Sequence, residues 1–250
     1  MDRRVDLTHL YKPQHIGSGV FRKKGYVKPL LSSFESMAEL NSKSHGFEDV
    51  LIHLTKSDKI LAELIRNVGE CSLARREDYF LSLVSAIINQ QLSGSAADSI
   101  FRKFTAELGN DLTPERVQNL SHDQFRKSGI SKSKEEFIRK LSEKFANDKG
   151  FLSQIAEKPD SEILSSLMEL KGIGRWTAEM FMIFSLNRLD ILPINDAGFR
   201  RSVSKFYLNG RKATDDDILR ISDAWRPYRT IAVWYLWRGL DGVPKGPIQT

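Results

Sequence analysis

Two stretches carry residues whose types and spacing could do chemistry. In Leu170-Lys-Gly-Ile-Gly-Arg-Trp-Thr-Ala-Glu179, Gly172 and Gly174 stand between two apolar runs, Ile163 to Leu170 and Trp176 to Leu186. Glycines that close together allow a tight reversal with positive φ, and they let the backbone approach a ligand with no Cβ in the way. A helix starting at about Gly174 or Arg175 would point its first unpaired N–H groups out of the turn. With the helix dipole and Lys171 or Arg175, those amides make an anion site suited to one phosphate. The same glycines also suit a plain turn between helices. In the second stretch, Pro193-Ile-Asn-Asp196-Ala-Gly-Phe-Arg-Arg201, Asp196 follows one helix length and a Pro-containing loop. It can cap a new helix running to about Tyr207. It is either a cap only, or a carboxylate placed to stabilise developing positive charge and to orient or deprotonate a water.

The elements that must position these residues read as helices. Ser57 or Asp58 opens one with Ile60, Leu61, Leu64, Ile65 and Val68 on one side, and Gly69 ends it. Residues 77–89 form a mostly apolar, central helix, followed by one with Ala97, Ile100, Phe101 and Phe104 inward. Thr113-Pro114 is an N-cap with proline at the first helical position, and Ser133 to Glu136 reads as a capping box. Asp160 and the Thr214–Asp217 run open two further helices. The aromatic segment Trp225-Arg-Pro-Tyr-Arg229 to Arg238 reads as a last helix starting at Pro227. No alternating strand and no internal repeat occur. The fold class expected is all-α, with eleven or twelve short helices.

Composition sets the outer limits. The 250 residues are 40% apolar, enough to bury a full core. Cys71 is the single cysteine, so an intramolecular disulfide framework and an all-cysteine metal site are both excluded. No apolar run approaches the roughly 18 residues of a membrane span. With no signal-peptide core in residues 1–30, an intracellular, reducing compartment is the expectation. Seven of the 38 Lys and Arg fall in residues 1–30 against Asp2 and Asp6, so that stretch carries nearly all of the net +6. Residues 1–45 are expected to be a flexible basic arm that either touches phosphates or serves as a soluble tail. A basic groove on the body, residues 46–250, must come from local clustering.

The Gly-x-Gly turn and the loop ending in Asp196 resemble the helix-hairpin-helix DNA glycosylases. Trp176, Gln90-Gln-Leu-Ser93 and Trp225-Arg-Pro-Tyr-Arg229 are similar to the alkyl-base branch, 3-methyladenine DNA glycosylase II. The resemblance covers roughly residues 47–240, with the hairpin at about 163–186 and the Asp loop at 190–197. It implies a compact glycosylase fold of two helical subdomains with the active cleft between them. Relatives often add a β-rich N-terminal domain, for which the short arm leaves no room, and some carry a four-cysteine iron–sulfur cluster, which Cys71 alone cannot form.

The resemblance also implies roles. Asp196 would be the catalytic carboxylate, with Asp190 a runner-up outside the matching position. Members that also cleave the strand place a lysine where this chain has Trp176, which implies a monofunctional hydrolase without lyase chemistry. Trp176 would stack a cationic alkylated base, an interaction strengthened by desolvation; core packing is the other reading. Trp237 matches a second pocket aromatic, with Trp225, Trp234 or Tyr235 as substitutes. Gln91, with Leu92 the apolar alternative, would fill the gap left by an extruded base. Lys171, Gly172, Gly174 and Arg175 would hold DNA at the hairpin. Arg200 and Arg201, with Lys205, either contact flanking phosphates or form a solvated face.

No metal site and no required cofactor are expected, apart from a monovalent cation that family hairpins hold with carbonyls, here near Leu170 and Ile173. The partner implied is double-stranded DNA containing damaged bases, bound by a monomer located with the DNA. The activity implied is base excision repair: flipping an alkylated purine of the 3-methyladenine type and hydrolysing its glycosidic bond to leave an abasic site. Two other readings stay open: a glycosylase for oxidised or mispaired bases, and a non-catalytic DNA-binding module.

Overall fold

The computed structural model describes residues 47–73, 78–92, 94–148 and 150–241. The basic arm expected over 1–45 lies outside the described residues. Among those residues all regular structure is helical, in thirteen α-helices and one short 3-10 turn. The chain divides into two compact units.

The first unit comprises Asp78–Lys158 and Ser165–Gly174. Its centre is α3 (Tyr79–Asn89), buried at every position from Ser82 to Asn89. A helix apolar all round has to be enclosed on all sides. It packs on α4 (Gly94–Glu107) and α7 (Lys132–Asn147). Between them lie α5 (Pro114–Gln118) and α6 (His122–Lys127), and α8 (Phe151–Ala156) follows. Phe80 meets Phe145 at 5.2 Å, and Phe104 meets Phe125 at 5.2 Å. Thr113 caps α5 with Pro114 at its start, as its sequence dictates. The cap of α7 differs from expectation. It is Ser131, whose hydroxyl accepts from Lys134 N, so the helix starts before Ser133. The earlier serine has the extended backbone that an N-cap requires.

The second unit comprises, among the described residues, 47–73, Pro159–Leu164 and 175–241. It contains α1 (Glu48–Ser57), α2 (Lys59–Val68), α10 (Arg175–Phe184), α11 (Ala197–Tyr207), α12 (Asp215–Ser222) and α13 (Arg229–Asp241). α9 (Asp160–Met168) begins in this unit and ends in the first. α13 packs on α2 and α11, and Ile231 to Trp237 are all buried. Gly239 allows the closeness to α2, since a Cβ there would lie 2.5 Å from Leu64 Cδ2. Asp58 caps α2 through Ile60 N and Leu61 N. Its other oxygen accepts from Tyr207 Oη and Trp225 Nε1, each at 2.8 Å. α13 starts at Arg229 rather than Pro227; a 3-10 turn, Asp223–Trp225, precedes it, and Tyr228 N donates back to Trp225 O.

Candidate active site

Asp196 is held by three helices of the second unit. It is the N-cap of α11, with Oδ1 accepting from Phe199 N at 2.6 Å. The same oxygen accepts the indole N–H of Trp237 from α13 at 2.9 Å. Oδ2 accepts the indole N–H of Trp176 from α10, also at 2.9 Å. The side chain is buried, with 6% of the residue exposed. Among the described residues three N–H donors and no cation surround the carboxylate, so its negative charge is oriented by dipoles and is not cancelled by an ion pair there. One lone pair on Oδ2 has no donor among these three, which gives the group one direction in which to meet a water or a developing cation.

The loop before Asp196 is fixed by the start of α13. Thr230 accepts Ile191 N at its hydroxyl, which donates to Arg188 O, while Thr230 N donates to Leu189 O. Asp190 accepts from Arg229 Nε at 2.7 Å and Arg226 Nη1 at 3.2 Å, and Arg229 Nη2 donates to both its carboxylate and its carbonyl. The runner-up carboxylate is thus neutralised inside a clamp. The two arginines of Trp225-Arg-Pro-Tyr-Arg229 anchor the Asp loop to α13. Gly198 was not singled out by sequence, yet a Cβ there would sit 3.2 Å from Asp196 Oδ1 and 3.5 Å from Trp237 Nε1. Its signal was its place in the first turn after the capping Asp, where a glycine otherwise weakens a helix.

Trp176 and Trp237 come together on Asp196, but through their N–H edges. Trp176 is half-buried, and its tether to Oδ2 fixes the plane of its ring. Trp237 departs from the expectation of a pocket face. It is 2% exposed and stacked on Phe184 at 5.9 Å, so it orients the carboxylate from within the core. Of the substitutes, Trp225 is fully buried on Asp58, and Tyr235 donates to Gly69 O. Trp234 is buried, with Arg238 over its ring at 5.2 Å.

Glu179 also belongs to this neighbourhood. On α10 it is 3% exposed, and Oε1 accepts from Arg175 Nε at 2.8 Å. Burial pushes its carboxyl above the ordinary value, Arg175 opposes that rise, and the charge of Asp196 adds to it.

The hairpin turn lies in the first unit. Gly172 has φ +88°, and a Cβ there would fall 2.3 Å from Phe137 Cγ, so the fold itself requires this glycine. Gly174 is exposed, and a Cβ there would meet nothing within 4 Å. Lys171 pairs with Glu136 on the surface. Gln90, missed by sequence, donates from Nε2 to Gly172 O at 2.8 Å and so ties the loop after α3 to the turn. Lys134 Nζ completes that end of α3 by donating to Ile88 O and Gln90 O. Gln91 projects from this loop, exposed at φ +57°, while Leu92 is half-buried.

The helix after Asp196 corrects one expectation. Arg200 does not face outward, because its guanidinium donates to Ile194 O, Ala213 O and Asp215, binding the Asp loop to the start of α12. Buried carbonyls at a loop need donors, and this side chain supplies them. Arg201 and Lys205 are exposed on the same helix.

The sequence profile of the HhH-GPD superfamily of base excision DNA repair proteins matches residues 84–227, more than half of the chain. The chain belongs to this superfamily. Both the Gly-x-Gly turn and Asp196 fall within the matched residues. The Schizosaccharomyces pombe alkylbase DNA glycosidase-like protein mag2 is 30% identical over 210 residues, covering 82% of this chain and 97% of that protein. The structure of a DNA-3-methyladenine glycosidase from Bacillus halodurans superposes with a TM-score of 0.71 at 34% identity, covering 77% of this chain and 89% of that one. A 3-methyladenine DNA glycosylase of Schizosaccharomyces pombe, solved in complex with abasic DNA, gives 0.66 at 30% identity, covering 76% and 95%. Trp176, just after the hairpin glycines, carries no amine with which to form a Schiff base.

Proposed function

We propose that the protein is a monofunctional DNA glycosylase that releases alkylated purines of the 3-methyladenine type from double-stranded DNA and leaves an abasic site. The observation that carries this reading is the buried Asp196 carboxylate, oriented by Phe199 N and two indole N–H groups. Cleavage of the bond from base to sugar builds positive charge on the sugar. A fixed carboxylate in a water-poor site stabilises that charge, and its free Oδ2 lone pair orients the attacking water. A cationic alkylated base leaves as a neutral molecule, so no dedicated general acid is needed. Trp176, held edge-on to Asp196, offers its ring face to such a base.

DNA is gripped without regard to sequence at the start of α10, where the first-turn amides and the helix dipole suit one phosphate. Gly174, which the fold leaves open, allows that backbone approach. Arg175 and Lys171 supply charge, and Gln91 occupies the space of the extruded base. A monovalent cation on the carbonyls of Leu170 and Ile173 would add positive charge facing the phosphate. Leu170 O accepts Ile173 N at 3.0 Å and keeps a second lone pair for it. The chain acts as a monomer wherever the DNA is, and among the described residues no helix is long and apolar enough to cross a membrane.

The test is incubation of purified protein with methylated DNA. Free 3-methyladenine and alkali-labile abasic sites are expected, without strand breaks before alkali. Release of only oxidised or mispaired bases from a lesion panel would move the assignment to that class, and no release from any duplex would leave a binding module.

A further inference from the structure

Glu179 stands out among the buried ionisable groups because one half of it has no partner. Oε1 is paired with Arg175, but Oε2 is buried with no hydrogen bond among the described residues. The Arg175 side chain is 56% exposed and the Glu179 side chain 4%, so the counter-ion is wet and the carboxyl is dry. An unsatisfied buried carboxylate oxygen is costly. Packing alone would be served as well by methionine or leucine at this place in α10. Among the described residues two charged groups act on Glu179: Arg175 from its own helix, and Asp196, which is bonded to Trp176 of that helix.

We propose that Glu179 is a second negative charge of the Asp196 site, held by Arg175, that biases excision toward positively charged bases. The inference rests on the glycosylase reading and assigns a specificity role that Asp196 does not fill by itself. A cationic base and its sugar carry one positive charge from encounter to transition state, whereas a neutral base such as hypoxanthine brings no net charge. A fixed anion nearby therefore favours the first substrate throughout and the second far less. The charge is conditional. Burial and Asp196 both favour the protonated carboxyl, and Arg175 favours the ionised one. As pH rises through the titration of Glu179, the site gains its second charge and the preference for cationic bases increases.

Two measurements test this. In the first, second-order single-turnover excision of 3-methyladenine and of hypoxanthine is followed from pH 4.5 to 7.5 for the wild type, Glu179→Gln and Arg175→Ala. The ratio of the two rates cancels pH effects on DNA binding that both share. The wild-type ratio is expected to rise by roughly fivefold or more across the titration. It should stay flat in Glu179→Gln and rise at higher pH in Arg175→Ala. A Glu179→Gln ratio that follows the wild-type curve overturns the inference while leaving the glycosylase reading intact. The second measurement needs no substrate, so it stands even if the glycosylase reading fails. The carboxyl carbon resonance of Glu179, identified by its loss in Glu179→Gln, is titrated by NMR in the wild type and in Asp196→Asn. Removal of the like charge should lower its midpoint, and identical midpoints would mean that the two carboxyls do not sense each other.

Discussion

Trp176 donates its indole N–H to Asp196 Oδ2 at 2.9 Å, so the expected base-stacking ring and the expected catalytic carboxylate form one unit. The hydrogen bond ties the ring on α10 to the carboxylate that caps α11. Trp176→Phe and Trp176→Ala should therefore separate two contributions. Phenylalanine keeps a stacking face and loses the donor, and alanine loses both. On a cationic base the alanine variant should fall further than on hypoxanthine, by an extra two- to thirtyfold or so in single-turnover excision, from about 0.5–2 kcal/mol of cation–π attraction. Phenylalanine should reduce both lesions by similar factors, through the freed carboxylate. Equal losses on both lesions for alanine would make the ring a wall and not a charge reader.

The two hairpin glycines should fail differently. Gly172→Ala places a Cβ against Phe137 at a left-handed φ, and stability should drop by about 2–5 kcal/mol, read by denaturant unfolding. Gly174→Ala meets open space and should cost about 1 kcal/mol or less as a change of N-cap residue. It should weaken binding of damaged and undamaged duplexes alike, since backbone contacts carry no sequence information. A Gly174→Ala protein with unchanged affinity for both duplexes would remove the turn from the DNA interface.

Much of this was legible because the signals were local. Asp58, Thr113, Thr214 and Asp196 cap the helices their sequences announce, since each presents its side-chain oxygen to amides two or three residues on. What sequence could not supply were relationships between distant residues. The edges of Trp176 and Trp237 meeting on one carboxylate depend on how α10 and α13 pack, which no spacing encodes. Trp237 matched a pocket position in type, yet its burial against Phe184 makes it an anchor. Arg200 reads in sequence as a phosphate contact or part of a solvated face, whereas the carbonyls of Ile194 and Ala213 take up its guanidinium. Gln90 carried no distinguishing pattern, because its role is set by one contact, and Gly198 carried only its place in the first turn after the capping Asp.

Glu179→Gln should also change stability with a definite sign. A carboxyl whose folded pKa is raised above its ordinary value near 4.5 contributes stability below that value, and the contribution is lost as pH rises through the folded pKa. The wild type should therefore lose stability relative to Glu179→Gln between about pH 4.5 and neutrality. Thermal unfolding of both proteins across that window checks it. A constant gap between the two curves would mean that Glu179 titrates no differently folded than unfolded.

Asp190→Asn should behave as a structural lesion. The Arg229 side chain is 13% exposed and would lose its buried counter-charge, at a cost on the order of 1–3 kcal/mol in unfolding free energy. At a temperature where the variant stays folded, some excision should persist, because the amide still accepts from Arg229. Complete loss of excision in a fully folded Asp190→Asn protein would return Asp190 to candidacy as the reacting carboxylate.

The central claim is tested most directly by single-turnover release of free 3-methyladenine from methylated duplex by Asp196→Asn, alongside its affinity for the same DNA. The amide can keep the cap to Phe199 N and the bond from Trp237 through its oxygen, but it has no charge to offer the sugar. Excision should fall by about a hundredfold or more, the loss of roughly 3 kcal/mol of electrostatic stabilisation, with DNA affinity retained. Residual excision within about tenfold of the wild type would contradict the account and take the chemistry away from Asp196.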